Sequence, residues 1–183
     1  MNAESHSDLQ QIGDGAEAFS VTVVEANQTS GRLEASAAQY FKADLPIVGI
    51  GHSIGAVTLL ALAGGEAQTL AGDTVMSGSN LKFDRLALFA PPTDFFRRAS
   101  ALESVRVPMR IWVGAKDSIT PPAQAQFLKE VLSLQGPIDI CLDEEAGHFS
   151  YMDELPPNIT DSHPNRGKFL ASLANDVGRF VMA

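Results

Sequence analysis

With Cys141 as its only cysteine, the 183-residue chain cannot close an internal disulfide or build a zinc site of the multi-cysteine kind. That composition reads as an intracellular, cytoplasmic protein. Positive charge is scarce as well: 13 Lys and Arg stand against 22 Asp and Glu, for a formal net charge of −9. Such a balance repels phosphate backbones and anionic lipid, so neither nucleic acid nor membrane is expected as a partner, and a small organic substrate fits better. No apolar run reaches the roughly 18 residues needed to cross a bilayer. Residues 1–15 lack the basic-then-apolar pattern of a signal peptide. Internal repeats and linker-like segments are missing too, and one domain over residues 1–183 is expected.

What is present is an alternation of short apolar runs with longer helical patterns, the mark of parallel strands joined by crossover helices. Strands are predicted at 46–51, 85–90, 108–113 and 138–142. Their members, such as Ile47, Val48 and Ile50 or Met109, Ile111, Trp112 and Val113, are apolar throughout, as in strands covered on both faces. Helices are predicted at 54–64, at 121–134 after the Pro121–Pro122 pair, and at 167–182. The last carries Phe169, Leu170, Leu173, Val177, Phe180 and Val181 as one apolar stripe for docking on the sheet. Residues 64–84 read as a loop rich in Gly, Ser, Thr and Asp, and the proline-bearing stretch 153–166 as a second irregular segment. The fold class is therefore α/β, a mostly parallel sheet with helices on both faces.

Between the first of these strands and its helix lies Gly51-His52-Ser53-Ile54-Gly55. A G-x-S-x-G sequence in a strand-turn-helix context lifts the serine hydroxyl above the sheet on a strained turn. Side chains at 51 or 55 are expected to collide with the neighbouring strand and helix, which accounts for both glycines. The following helix aims its N-terminus at the reacting centre, with the Ile54 N–H as the expected first oxyanion donor. A phosphate-cradling turn is the rival reading, but such loops carry more glycines or a lysine.

A serine hydroxyl becomes a nucleophile when an imidazole takes its proton and a carboxylate orients that imidazole. Asp117 follows strand 108–113 and His148 follows strand 138–142, both at carboxyl ends, where α/β sheets keep their sites. Taken singly, Asp117 also suits a turn or helix cap, and His148 a satisfied surface histidine. The order serine, aspartate, histidine is what joins them. Asp94, after strand 85–90, ranks second as acid, while Asp143, Glu144 and Glu145 read as a solvated rim. His52 is too constrained to serve as base, and His6 and His163 fall in polar irregular segments. Phe95, Phe96, Leu102 and Trp112 are apolar candidates to line or support a pocket, with core packing the stronger role for Trp112.

The segments Leu45 to Ala56, Arg85 to Pro91, Val107 to Asp117 and Ala146 to Phe149 make residues 45–183 resemble the carboxyl-terminal half of the α/β-hydrolase superfamily. Within it they look most like the dienelactone-hydrolase-like and platelet-activating-factor-acetylhydrolase-like serine esterases, although dienelactone hydrolases carry cysteine where Ser53 stands. The resemblance implies hydrolysis of a small carboxylic ester, thioester or amide through an acyl-enzyme on Ser53, with no cofactor and no metal. A catalytically weak or inactive binding protein is the rival from another class, and cofactor-free haloperoxidation a third reading. It further implies that the first 44 residues begin downstream of the loop that supplies the second oxyanion N–H, leaving an N-terminally shortened fold. Residues 9–19 read as a helix, 20–26 as a strand and 32–42 as the helix before the elbow strand. With the family's third strand missing, strand 20–26 pairs directly with the elbow strand or an edge stays open, and an open edge favours a homodimer.

Overall fold

A computed structural model describes residues 46–69, 71–76 and 81–183. The helix, strand and helix expected within residues 1–44 lie outside the described residues, as does any pairing of strand 20–26. Among the described residues four parallel strands form one sheet: β1 (Val48–His52), β4 (Arg85–Phe89), β5 (Met109–Gly114) and β6 (Ile138–Asp143), in the order β1-β4-β5-β6. Gly49 pairs with Leu86, Leu86 with Met109, and Met109 with Ile138, which brings the carboxyl ends of β1, β5 and β6 to one side of the sheet. Helices α1 (Ile54–Leu62), α2 (Pro122–Leu132) and α3 (Arg166–Met182) complete the layers.

Side chains on a strand alternate between faces, and the two faces of this sheet are filled by different helices. Leu86, Leu88, Met109, Ile111 and Val113 pack with Ala56, Val57 and Leu60 of α1 and with Ala125, Leu128 and Leu132 of α2. On the other face Ala87, Phe89 and Trp112 meet Leu173, with Phe169, Leu170, Val177 and Phe180 of α3 around them. The stripe predicted for the last helix is this contact. Asn165 caps α3 by accepting the Lys168 N–H at 3.4 Å, and Pro121 and Pro122 open α2.

Three expectations change. Among the described residues, cover on both faces holds for β4 and β5 but not for β1 or β6, where Ile50 is 55% and Leu142 50% exposed, and the α3 stripe gathers mainly on β4 and β5. The loop at 64–84 contains a small antiparallel pair, β2 (Ala67–Gln68) and β3 (Thr74–Val75), turned at Gly72 with φ 90°. Phe96 and Leu102 are core residues under α1 and α2, both about fully buried, with Phe95 packed beside them, and Trp112 belongs to the α3 face.

Candidate active site

The turn from β1 into α1 is built by sterics. Ser53 has φ 51°, a left-handed conformation that costs a non-glycine residue energy. Its N–H is tied to the Phe89 carbonyl at 2.9 Å, so the strained residue is pinned to the neighbouring strand. A Cβ on Gly51 would lie 2.8 Å from the Gly55 carbonyl carbon and 2.9 Å from the Ala56 nitrogen, so only glycine fits there. Gly55 is different: an added Cβ meets nothing within 4 Å, and the expected collision at that position does not occur. The turn needs one of its glycines for space, because the helix start carries position 55 away from the strand while position 51 faces it.

Asp117 and His148 arrive on the loops after β5 and β6. The Lys116 N–H donates to the Ala146 carbonyl at 3.0 Å and the Ala115 N–H to the Asp143 carbonyl at 2.8 Å, so the two loops are joined main chain to main chain. Gly114 permits this approach, since a Cβ there would stand 2.0 Å from the Ala146 oxygen. Asp143 stiffens the second loop by accepting the Glu145 and Ala146 N–H groups at 2.8 and 2.9 Å. Beyond His148, the Ser150 hydroxyl accepts the Gly147 N–H at 2.9 Å and donates to buried Asp161 at 2.8 Å.

These loops bring the three predicted side chains into one hydrogen-bonded row. Asp117 Oδ2 lies 2.9 Å from His148 Nδ1, and His148 Nε2 lies 3.0 Å from Ser53 Oγ. A carboxylate only accepts, so Nδ1 carries the proton and Nε2 presents its lone pair to the serine hydroxyl. The Asp117 side chain is 0% exposed and that of His148 6%. Burial by itself would raise the Asp117 carboxyl. It is outweighed by hydrogen bonds from His148, from the Thr120 N–H at 2.7 Å and from the Thr120 hydroxyl at 2.7 Å, which together hold the group below the ordinary carboxylate range. With the Ile119 N–H at 2.8 Å, the carboxylate accepts four hydrogen bonds.

Thr120 was not among the residues singled out from sequence. Its hydroxyl donates to Asp117 and, 3.0 Å from His148 Nδ1, shares the imidazole proton with the carboxylate. The Asp-x-x-Thr spacing from 117 to 120 is an aspartate-turn signature that could have found it. The other candidate acids are elsewhere. Asp94 bonds to Gln124 at 2.9 Å and Arg97 at 3.0 Å, which lower its carboxyl, and its side chain is 69% exposed. Glu145 pairs with Lys116, and Asp143 is 3.7 Å from His163 Nε2. His163 is thus no free surface histidine: its ring packs 4.7 Å from that of Phe169.

In its fold the chain is similar to a solved structure from Coxiella burnetii described as an alpha-beta serine hydrolase homologue. The likeness has a TM-score of 0.53 at 16% identity and covers 89% of this chain and 65% of that one. The chain has the α/β-hydrolase fold. Thermogutta terrifontis esterase 2 phosphorylated by paraoxon also aligns, with a TM-score of 0.46 at 15% identity over 72% of this chain and 52% of that one. A predicted CIB-like hydrolase from Thermoplasma acidophilum aligns with a TM-score of 0.47 at 15% identity over 81% of this chain and 59% of that one. The chain therefore spans between about half and two thirds of the length of these structures, none of which singles out the dienelactone-hydrolase-like or platelet-activating-factor-acetylhydrolase-like branch. No family model and no curated protein matches it.

In this α/β-hydrolase fold the Ala56 and Val57 N–H groups of α1 donate to the Ser53 carbonyl at 2.9 and 3.4 Å, while the Ile54 N–H, at the very start of the helix, follows directly on Ser53. The sequence shows no loop for a second donor in residues 1–44, and those residues lie outside the described ones. Among the described residues no group of three or more His, Cys, Asp or Glu side chains could hold a metal ion, and no helix is long and apolar enough to cross a membrane.

Proposed function

We propose that the chain is a serine hydrolase that cleaves a small carboxylic ester, thioester or amide through an acyl-enzyme on Ser53. The observation that carries this reading is the unbroken row from Asp117 Oδ2 through His148 to Ser53 Oγ, at 2.9 and 3.0 Å. His148 Nε2 takes the hydroxyl proton as Ser53 Oγ attacks the carbonyl carbon. Asp117 keeps Nδ1 protonated and stabilises the imidazolium that forms, and the Ile54 N–H donates to the developing oxyanion. The imidazolium then returns the proton to the leaving group. Water, deprotonated by the same Nε2, releases the acid from Ser53.

The test is covalent labelling of the full chain by a fluorophosphonate, with turnover of p-nitrophenyl butyrate measured alongside. Ser53→Ala should abolish both while the circular dichroism spectrum stays that of the wild type. Label remaining in Ser53→Ala would overturn the assignment of the nucleophile. A wild-type chain that takes no label at all would instead favour the weak or inactive binding protein.

A further inference from the structure

His52 and Ser53 are consecutive, and both reach residue 148. Ser53 Oγ meets the ring at Nε2, 3.0 Å away. His52 Nε2 lies 2.8 Å from the main-chain carbonyl oxygen of the same residue. A carbonyl can only accept, so His52 donates from Nε2 and its neutral form is the Nε2–H tautomer. The sequence ruled His52 out as a base, and that leaves its ring without a use in the mechanism above.

We propose that His52 is a positioning residue which, together with Ser53, clamps His148 at two points, main chain and ring. The proposal rests on the reading of Ser53 and His148 as nucleophile and base. Asp117 and Thr120 fix Nδ1, but a ring held at Nδ1 alone can still tilt about that hydrogen bond and change its distance to Ser53. Anchoring the carbonyl removes that freedom by fixing the main chain from which the side chain swings. The anchor is itself rigid: β1 is hydrogen-bonded along β4, and the turn after His52 is pinned at the Phe89 carbonyl. Nucleophile and clamp thus move as one piece.

The surroundings of His52 also keep it uncharged. Burial is the main cause that lowers its imidazole below the ordinary histidine range, and the neighbouring His148 acts in the same direction. The hydrogen bond to the His148 carbonyl and the Asp117 carboxylate oppose it. The two rings are 4.9 Å apart, and the Tyr151 ring lies 6.4 Å from that of His52. A cation on His52 would repel the imidazolium that forms on His148 during acyl transfer. A neutral donor is what the position requires.

Two variants of the full chain separate positioning from bulk: His52→Leu removes the donor, and His52→Gln keeps an N–H at the same reach without a titrating ring. Small displacements of a reacting group cost up to about 100-fold, so His52→Leu should lower kcat and the labelling rate by about 10- to 100-fold with KM changed by less than about 2-fold. His52→Gln should recover most of that loss. Nitrogen-15 spectra of the histidine rings provide a readout independent of activity. Wild-type His52 should be in the Nε2–H form, and the His148 ring signals should move in His52→Leu and return in His52→Gln. An Nδ1–H tautomer at His52, unmoved His148 signals, or equal kcat losses in both variants would overturn the clamp. If the wild-type chain takes no label, the reading of Ser53 falls separately, and the spectra still decide whether His52 holds residue 148.

Discussion

The two halves of the candidate site are made rigid by opposite means. On the acid and base side the triad side chains are buried and bonded: Asp117 accepts four hydrogen bonds, and the loops carrying Asp117 and His148 are joined through the Ala146 carbonyl. On the nucleophile side a left-handed Ser53 has one main-chain tie, to the Phe89 carbonyl, and the turn is otherwise held by contact, with Gly51 against the main chain of α1, while Ile50 and Ile54 stand exposed nearby. Hydrogen bonds suit a half that must orient charge, because they tune the carboxylate as well as place it. Close packing suits a half that must leave a hydroxyl open to substrate. The sites that break each half should accordingly differ in kind.

The largest effect is expected at the acid. Asp117→Asn puts an amide where it favours the wrong imidazole tautomer, and turnover should fall by up to about 10,000-fold as seen in other serine triads. Asp94→Asn should change the same steady-state rates little, since Asp94 bonds to Gln124 and Arg97 rather than to His148. A loss confined to Asp94→Asn would move the acid to the loop after β4.

Thr120→Val keeps the shape but removes the hydroxyl that Asp117 accepts, a charge-assisted bond worth about 1.5 to 3 kcal/mol. Urea unfolding should show a loss of that order together with reduced turnover. Stability equal to the wild type would mean that the remaining bonds already hold Asp117.

On the nucleophile side, Gly51→Ala should cost about 1 to 3 kcal/mol through overpacking. Gly55→Ala should be neutral, or stabilise by up to about 1 kcal/mol, as alanine replaces glycine in the first turn of a helix. Thermal melts of the pair check this, and equal losses would restore the steric role first expected for Gly55.

The smallest effect is a pH slope. The folded-state value of Asp117 is depressed, so its contribution is present above the ordinary carboxylate value and is lost as pH falls through the folded one. Across that acidic window the stability of the wild type should fall more steeply than that of Asp117→Asn, by at most about 1.4 kcal/mol per pH unit. Parallel urea titrations at successive pH values below 4 measure the difference.

Much of this arrangement was legible in sequence because strongly patterned elements announce themselves. Four apolar runs and three helical periods fall within two residues of the observed β1, β4, β5, β6, α1, α2 and α3. The positions of Ser53, Asp117 and His148 follow from being at the ends of those runs. What escaped has no period to read. Two-residue strands such as β2 and β3 are too short to alternate, and which strands α3 covers depends on where it docks. Gly55 was over-read, since the spacing of a motif does not say which glycine faces a neighbour. Thr120 and His52 act through the residues beside them, which only the assembled loops reveal.

Gly114 has a consequence for how this chain can vary. Because any Cβ there would stand 2.0 Å from the Ala146 oxygen, a library randomised at every codon should return glycine alone at 114. At 55 the same selection should admit several small residues. In a set of diverging copies, a side chain at 114 would then mark those whose acid and base loops have parted, even where Ser53, Asp117 and His148 are all still spelled out in the gene.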